Sequence, residues 1–156
     1  MILILLGTQD SPFPRILEET ENAVNELGLT EEIYAQVGTT PFSSQRMIVK
    51  DYFLGEEYNE LIKNARLIIA HGGAGILYKA IHLGKKVICQ PRRADLGEHN
   101  DDHQEELAEK LASAGYIYLA KGTILEAMKE IDNFTPAKYE IKNTIVEEIG
   151  NFIDSI

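Results

Sequence analysis

Directly after the apolar run Leu67–Ala70 come His71 and three glycines within four positions, Gly72, Gly73 and Gly75, and a helical pattern begins at once in "HGGAGILYKAI". Glycines at a strand-to-helix turn permit positive φ and let the main chain approach a ligand, because no Cβ intervenes. The helix behind them directs free N–H groups and the positive end of its dipole at the same point, which suits phosphate or diphosphate. Each such contact contributes about 0.3–1 kcal/mol, more when partly buried. A second glycine turn, Gly7-Thr8, follows the apolar run "MILILL" and should face the first across the rim of a sheet. Packing is the competing explanation, since glycines also let a helix and a strand come close.

Two familiar phosphate motifs do not fit. A Walker A loop ends in Gly-Lys-Ser/Thr, and the chain has no such sequence. The dinucleotide fingerprint asks for G-x-G-x-x-G/A after the first strand and an acid closing the next. Here Gly73 and Gly75 are followed by Tyr78 after the fourth apolar run, and the next run ends in Gln90-Pro91. Nicotinamide and flavin binding are disfavoured.

A second cluster lies in "GEHNDDHQEELAEKLASAG". Asp101 or Asp102 can cap the helix that follows, and Glu105 and Glu106 suit its first turn. That leaves His103 and Gln104 unexplained. His103, Leu107 and Leu111 recur at i, i+4, i+8, which assigns the histidine to the inward stripe at the end nearest the rim. Imidazole and amide side chains there can read sugar hydroxyls by paired hydrogen bonds. A metal site from Glu98, His99, Asp101, Asp102 and His103 is the competing reading, but no two of them stand at the i, i+4 spacing that presents ligands from one helical face. Arg92 and Arg93 are either surface charges or ligand contacts at a strand end. His82 reads as solvated, and Cys89, alone in an apolar run, as a buried inert thiol.

The elements that must position these groups follow from periodicity. Short apolar runs at Ile2–Leu6, Ile33–Val37, Met47–Lys50, Leu67–Ala70, Lys86–Gln90 and Tyr116–Leu119 read as strands. Helical patterns occupy Pro14–Leu27, Glu56–Ala65, Gly75–Leu83, His103–Ala114 and Thr123–Ile131. Unbroken apolar strands alternating with helices predict a single α/β domain over residues 1–156, Rossmann-like and doubly wound around a mainly parallel sheet. In such sheets ligands bind beyond the carboxyl ends of the strands, which gathers "GTQDSPFP", "VKDYFLG", "HGGAG" and "QPRRADLGEHNDDHQ" on one rim. A last helix is expected at about 138–156, docked on its own sheet or offering an apolar stripe to another chain.

Composition narrows the partners. The 156 residues carry 15 Lys+Arg against 25 Asp+Glu, a formal charge of −10, which repels nucleic-acid phosphates and anionic lipid. "MILILLG" is too short to span a bilayer and has no basic segment before it, so no direct membrane insertion is expected. The expected location is cytoplasmic, with any membrane role, such as peripheral association at the membrane face, falling to a partner.

With "GTQ" at Gly7–Gln9, "ELIKNARLIIAHGGAG" at Glu60–Gly75, "PR" at Pro91-Arg92 and "GEHNDDHQEELAEKL" at Gly97–Leu111, the chain resembles the C-terminal half of GT-B glycosyltransferases of family 28. It is most similar to the soluble subunit of two-part enzymes, namely the dolichol-pathway N-acetylglucosaminyltransferase and bacterial exopolysaccharide transferases that extend a lipid-linked sugar. The resemblance implies a UDP-sugar donor, with the diphosphate held at Gly72, Gly73, Ala74 and Gly75 and by Gly7 and Thr8 opposite. It places the uracil and ribose near Phe53, Leu54 and Lys79, and the donor sugar near His103, Gln104, Asp102 and Arg92. It implies no cofactor or metal, and a membrane-associated partner that binds the acceptor and supplies the catalytic base, because the strand opened at residue 2 is already the first of the C-terminal half.

One residue departs from the pattern. Where family members commonly place a glutamate for the ribose hydroxyls, this chain has Lys79, and an ammonium cannot accept hydrogen bonds. Either the ribose is held otherwise, with Lys79 turned to phosphate, or donor binding is weakened. The alternative function is therefore a non-catalytic nucleotide-sugar-binding or structural subunit that stabilises a separate transferase.

Overall fold

The computed structural model describes residues 1–140. Six strands alternate with five α-helices: β1 Ile2–Leu5, α1 Pro14–Glu26, β2 Ile33–Gln36, β3 Ile48–Lys50, α2 Gly55–Asn64, β4 Leu67–Ala70, α3 Ala74–His82, β5 Val87–Cys89, α4 His103–Ser113, β6 Tyr118–Leu119 and α5 Ile124–Glu130. Short 3-10 turns follow β5 at Ala94–Leu96 and α5 at Ile131–Asn133. The strands form one sheet in the order β3-β2-β1-β4-β5-β6, and every pairing is parallel. The sequence predicts a mainly parallel sheet; among the described residues it is wholly parallel.

The unbroken apolar strands are explained by burial on both faces. Along β1, Ile2 and Ile4 enter one core, with Ile16, Leu17 and Val24 of α1 and Ile124 and Met128 of α5. Leu3 and Leu5 enter the other, with Ile62 of α2, Leu77 and Ile81 of α3, and Leu107 and Leu111 of α4. Strand alternation thus sends consecutive residues to opposite layers, and a one-residue slip would exchange them.

Local signals set several boundaries. Pro14 opens α1, where its missing N–H costs no helical bond. Thr123 and Glu126 close a reciprocal capping box at the start of α5. The strand regions expected at Met47–Lys50, Lys86–Gln90 and Tyr116–Leu119 are each trimmed by one or two residues. Residues 134–140 carry no regular structure, and the helix expected at about 138–156 falls, from 141 onward, outside the described residues. His82 is exposed, as read from the sequence, and also stacks on Tyr78, with Tyr139 edge-on to both.

β1 and β4 are neighbours in register, Ile2 beside Leu67 and Leu5 beside Ala70, and the chain leaves them toward opposite edges of the sheet. This is the topological switch point, where the loops diverge and a crevice opens above the strand ends. The two glycine turns read from the sequence are the loops that flank it.

Candidate ligand site above the switch point

The crevice floor is built around His71, which directly follows β4 and is 2% exposed. Its Nδ1 lies 3.2 Å from the Leu5 carbonyl oxygen at the end of β1. A carbonyl only accepts, so Nδ1 carries the proton and Nε2 is left with its lone pair. Burial, then the nearby Arg92 charge, pushes the imidazole pKa down to about 3, so the ring is neutral at ordinary pH.

The glycines divide by the reason each is small. Gly72 has φ +99°, a left-handed conformation that favours glycine, and a Cβ there would stand 3.2 Å from Gln104 Cβ. At Gly73 a Cβ would come within 2.5 Å of the His71 ring, and at Gly7 within 2.8 Å of its Nε2. Packing against the imidazole accounts for those two. Gly75 differs: its φ is ordinary and a Cβ would meet nothing within 4 Å. Nothing in the fold asks for glycine at position 75, where it lines the cleft.

Gly73 is the N-cap of α3 and contributes no side-chain cap. The first-turn N–H groups of a helix have no intrahelical acceptor, so this end presents donors and a positive dipole to the cleft. The cleft encloses about 420 Å³. Its lining includes the aromatic and apolar residues Tyr52, Phe53, Leu54, Tyr58 and Ile76, and the turn residues Gly7, Thr8, Gly73 and Gly75. A second cavity of about 230 Å³ adjoins it, lined by Gly72, Ala74, His99, Asp101, His103 and Leu107. Gln9, Gly73 and Gln104 line both. Aromatic and apolar side chains and an anion-ready helix end therefore line one cleft, and a polar pocket adjoins it.

The structure brings together most, though not all, of the residues singled out in the sequence. Gly7, Thr8, Gly73 and Gly75 line the larger cleft, while Gly72 and Ala74 face the smaller cavity. Phe53 lines the cleft but is 3% exposed, its ring packed edge-on against Tyr34, whereas Leu54 at the rim is 76% exposed. Gln104, not His103, belongs to the inward stripe of α4: the buried set is Gln104, Leu107, Ala108 and Leu111, spaced i, i+3, i+4, i+7, with His103 half-exposed at its border. Among the two candidate caps, Asp102 occupies the N-cap position without a side-chain bond, and Asp101 accepts from the His103 N–H. That bond holds the Asp101 carboxyl below its usual range.

Three of the expected contacts stand outside both cavities. Asp102 is exposed beyond the rim. Lys79 donates to Asn59 Oδ1 and lies 4.5 Å over the Tyr58 ring, so it touches the cleft only through Tyr58. Arg92 is 1% exposed and turned beneath the β1–α1 loop, where it donates to the Ser11 carbonyl and lies 5.3 Å from the Phe13 ring centre.

Other lining residues were not singled out as ligand contacts from the sequence. Gln36, buried at the end of β2, donates to the Leu6 carbonyl and accepts from the Phe53 N–H, latching the loop after β3 onto the end of β1. Gln9 accepts from Gln104 Nε2 at 3.4 Å and lies 3.0 Å from His99 Nε2, which ties the rim loops across the two cavities. A lone glutamine in a strand carries no periodic signal. A polar residue closing an otherwise apolar strand was the one available clue to Gln36. Among the described residues, no group of three His, Cys, Asp or Glu side chains is gathered for a metal ion, and no helix is long and apolar enough to cross a membrane.

Solved structures similar to this chain include glycosyltransferases of the GT-B type. The chain aligns with the glycotransferase of kitacinnamycin at 15% identity and TM-score 0.61, covering 97% of this chain and 37% of that one. It aligns with ALG13 at 14% identity and TM-score 0.63, covering 94% and 92% respectively. With MurG of Acinetobacter baumannii the identity is 21% and the TM-score 0.58, covering 85% and 40%. The chain thus spans well under half the length of several structures it matches. The domain is a Rossmann-like half of a GT-B fold. By sequence it belongs to the glycosyltransferase family 28 C-terminal domain family, whose model matches residues 1–151. A search of the curated proteins returns no match.

Proposed function

We propose that the chain is the donor-binding part of an inverting UDP-sugar glycosyltransferase, one that extends a lipid-linked sugar together with a membrane-associated, acceptor-binding partner at the cytoplasmic face. The observation that carries this reading is Gly75: a glycine at an uncapped helix N-terminus, unexplained by packing or backbone, in a cleft that holds aromatic residues and adjoins a polar pocket. The aromatic residues suit a uracil and ribose, the helix end a diphosphate, and the pocket a sugar. Family membership supports the donor, and the resemblance to two-part enzymes supports the partner.

In this reading the α3 amides stabilise the charge that builds on the departing UDP, through donors already oriented before the reaction. Gln104, held by Gln9 and aided by His103, orients the sugar, which raises rate by positioning. The base that deprotonates the acceptor hydroxyl is assigned to the partner, and no metal is required for these roles. A non-catalytic, nucleotide-sugar-binding subunit is the second reading, favoured by Lys79, which puts an ammonium where the family commonly has a carboxylate.

Titration calorimetry with UDP and a panel of UDP-sugars, with chelator and without added metal, tests the proposal. Binding in the wild type that is lost in Gly75→Asp supports it. Binding undisturbed by that substitution, in a variant that still folds, removes the diphosphate from α3. Sugar transfer to a lipid-linked acceptor in the presence of the partner then separates the two readings.

A further inference from the structure

Arg92 is the largest fully buried side chain of the described residues, and its charge has no carboxylate in contact. One amino group donates to the Ser11 carbonyl at 2.8 Å, while Nε and Nη1 are buried without a hydrogen-bond partner. Glu98, the carboxylate whose charge acts on Arg92, is engaged elsewhere: it takes Arg15 Nε and Nη2 at 2.7 and 2.8 Å and the Arg93 N–H at 2.9 Å. A guanidinium cannot shed its proton in a protein, so it stays charged even where burial lowers its pKa. Unpaired buried charge opposes folding, and a fold ordinarily avoids it.

The position of this charge gives it a use. The guanidinium lies against Ser11 and Phe13, in the loop that leaves β1 through the Gly7-Thr8 turn, while the main-chain N–H of Arg92 is bonded at 3.4 Å to Oε1 of Gln104, which lines both cavities. The Arg92 charge also acts on the buried His71 ring, which forms the crevice floor under Gly7 and Gly73. We propose that Arg92 is a buried counter-charge for the ligand's diphosphate, acting from beneath the floor of the cleft without touching the ligand. The inference rests on the nucleotide-sugar reading above and adds a residue to it. Its basis is low local dielectric: a buried charge is felt over distances at which a surface arginine would be screened. Cradle amides supply contact, and Arg92 supplies net charge in a protein whose formal total is −10.

The test compares wild type, Arg92→Met, which keeps the aliphatic stem, and Arg92→Lys, which keeps the charge. Thermal unfolding of the ligand-free proteins is measured beside affinities for UDP and for uridine. The expected result for Arg92→Met is a Tm no lower than wild type, a UDP affinity weakened tenfold or more, and a uridine affinity within twofold. Arg92→Lys should retain most of the preference for UDP over uridine. Equal losses for UDP and uridine, or unchanged UDP affinity, would overturn the inference, as would an Arg92→Met protein too unstable to fold. A wild type that binds no UDP sinks the nucleotide-sugar reading itself, a result distinct from failure of the Arg92 variants alone.

Discussion

His71 Nδ1 meets the Leu5 carbonyl 3.2 Å away, joining the carboxyl ends of two strands 66 residues apart in the chain. The bond sets the tautomer, and burial holds the ring neutral. Folded His71 has a pKa near 3, against about 6.5 for the unfolded side chain. Between those values the unfolded chain binds more protons, so stability is complete above about pH 6.5 and falls as pH drops toward 3. The slope from this residue is up to about 1.4 kcal/mol per pH unit. Urea unfolding from pH 7 to 4 should show a steeper loss in wild type than in His71→Gln, and parallel curves would contradict the assignment.

Gly73 and Gly75 should respond oppositely to the same added methyl group. Gly73→Ala drives a carbon into the His71 ring and should cost about 1–3 kcal/mol of stability. Gly75→Ala meets open space and replaces a helical glycine, so stability should be unchanged or rise by up to about 1 kcal/mol. UDP affinity should nevertheless fall for Gly75→Ala. Denaturation midpoints and calorimetry on the pair read both effects, and equal destabilisation would remove the distinction.

Gln36 latches the loop after β3 by two buried hydrogen bonds. Gln36→Leu leaves the Leu6 carbonyl and the Phe53 N–H without this partner, at a cost of about 2 kcal/mol or more. Because the latch holds Phe53 in the cleft lining, uridine affinity should drop along with stability. Guanidinium denaturation and a uridine titration on one preparation would show the two losses together.

Lys79 does not line the cleft and is engaged by Asn59 and by the ring of the cleft residue Tyr58. Lys79→Ala should therefore alter UDP affinity by less than about threefold, since an exposed cation–π contact contributes only about 0.5–1 kcal/mol. A larger loss would put the ammonium on the ligand.

The sequence by itself determined the layered α/β fold, the place of each strand, and the rim on which the glycine turns collect. It could do so because strand and helix periodicities, and glycine at strand ends, are local signals. The doubly buried strands Ile2–Leu5 and Leu67–Ala70 and the turn at Gly72–Gly75 were all legible in this way. Which glycine answers to which cause was decided only in three dimensions: Gly7 and Gly73 yield to His71, and Gly75 to nothing in the chain. The same holds for Gln36, for Gln104 taking the inward place read for His103, and for Arg92 turning beneath the β1–α1 loop. Each depends on partners 12 to 95 residues distant in sequence, as in the Gln104–Arg92 and Gln104–Gln9 contacts. A side chain's direction is set by such partners when polar groups are buried, because each must find its hydrogen bond wherever the fold supplies one.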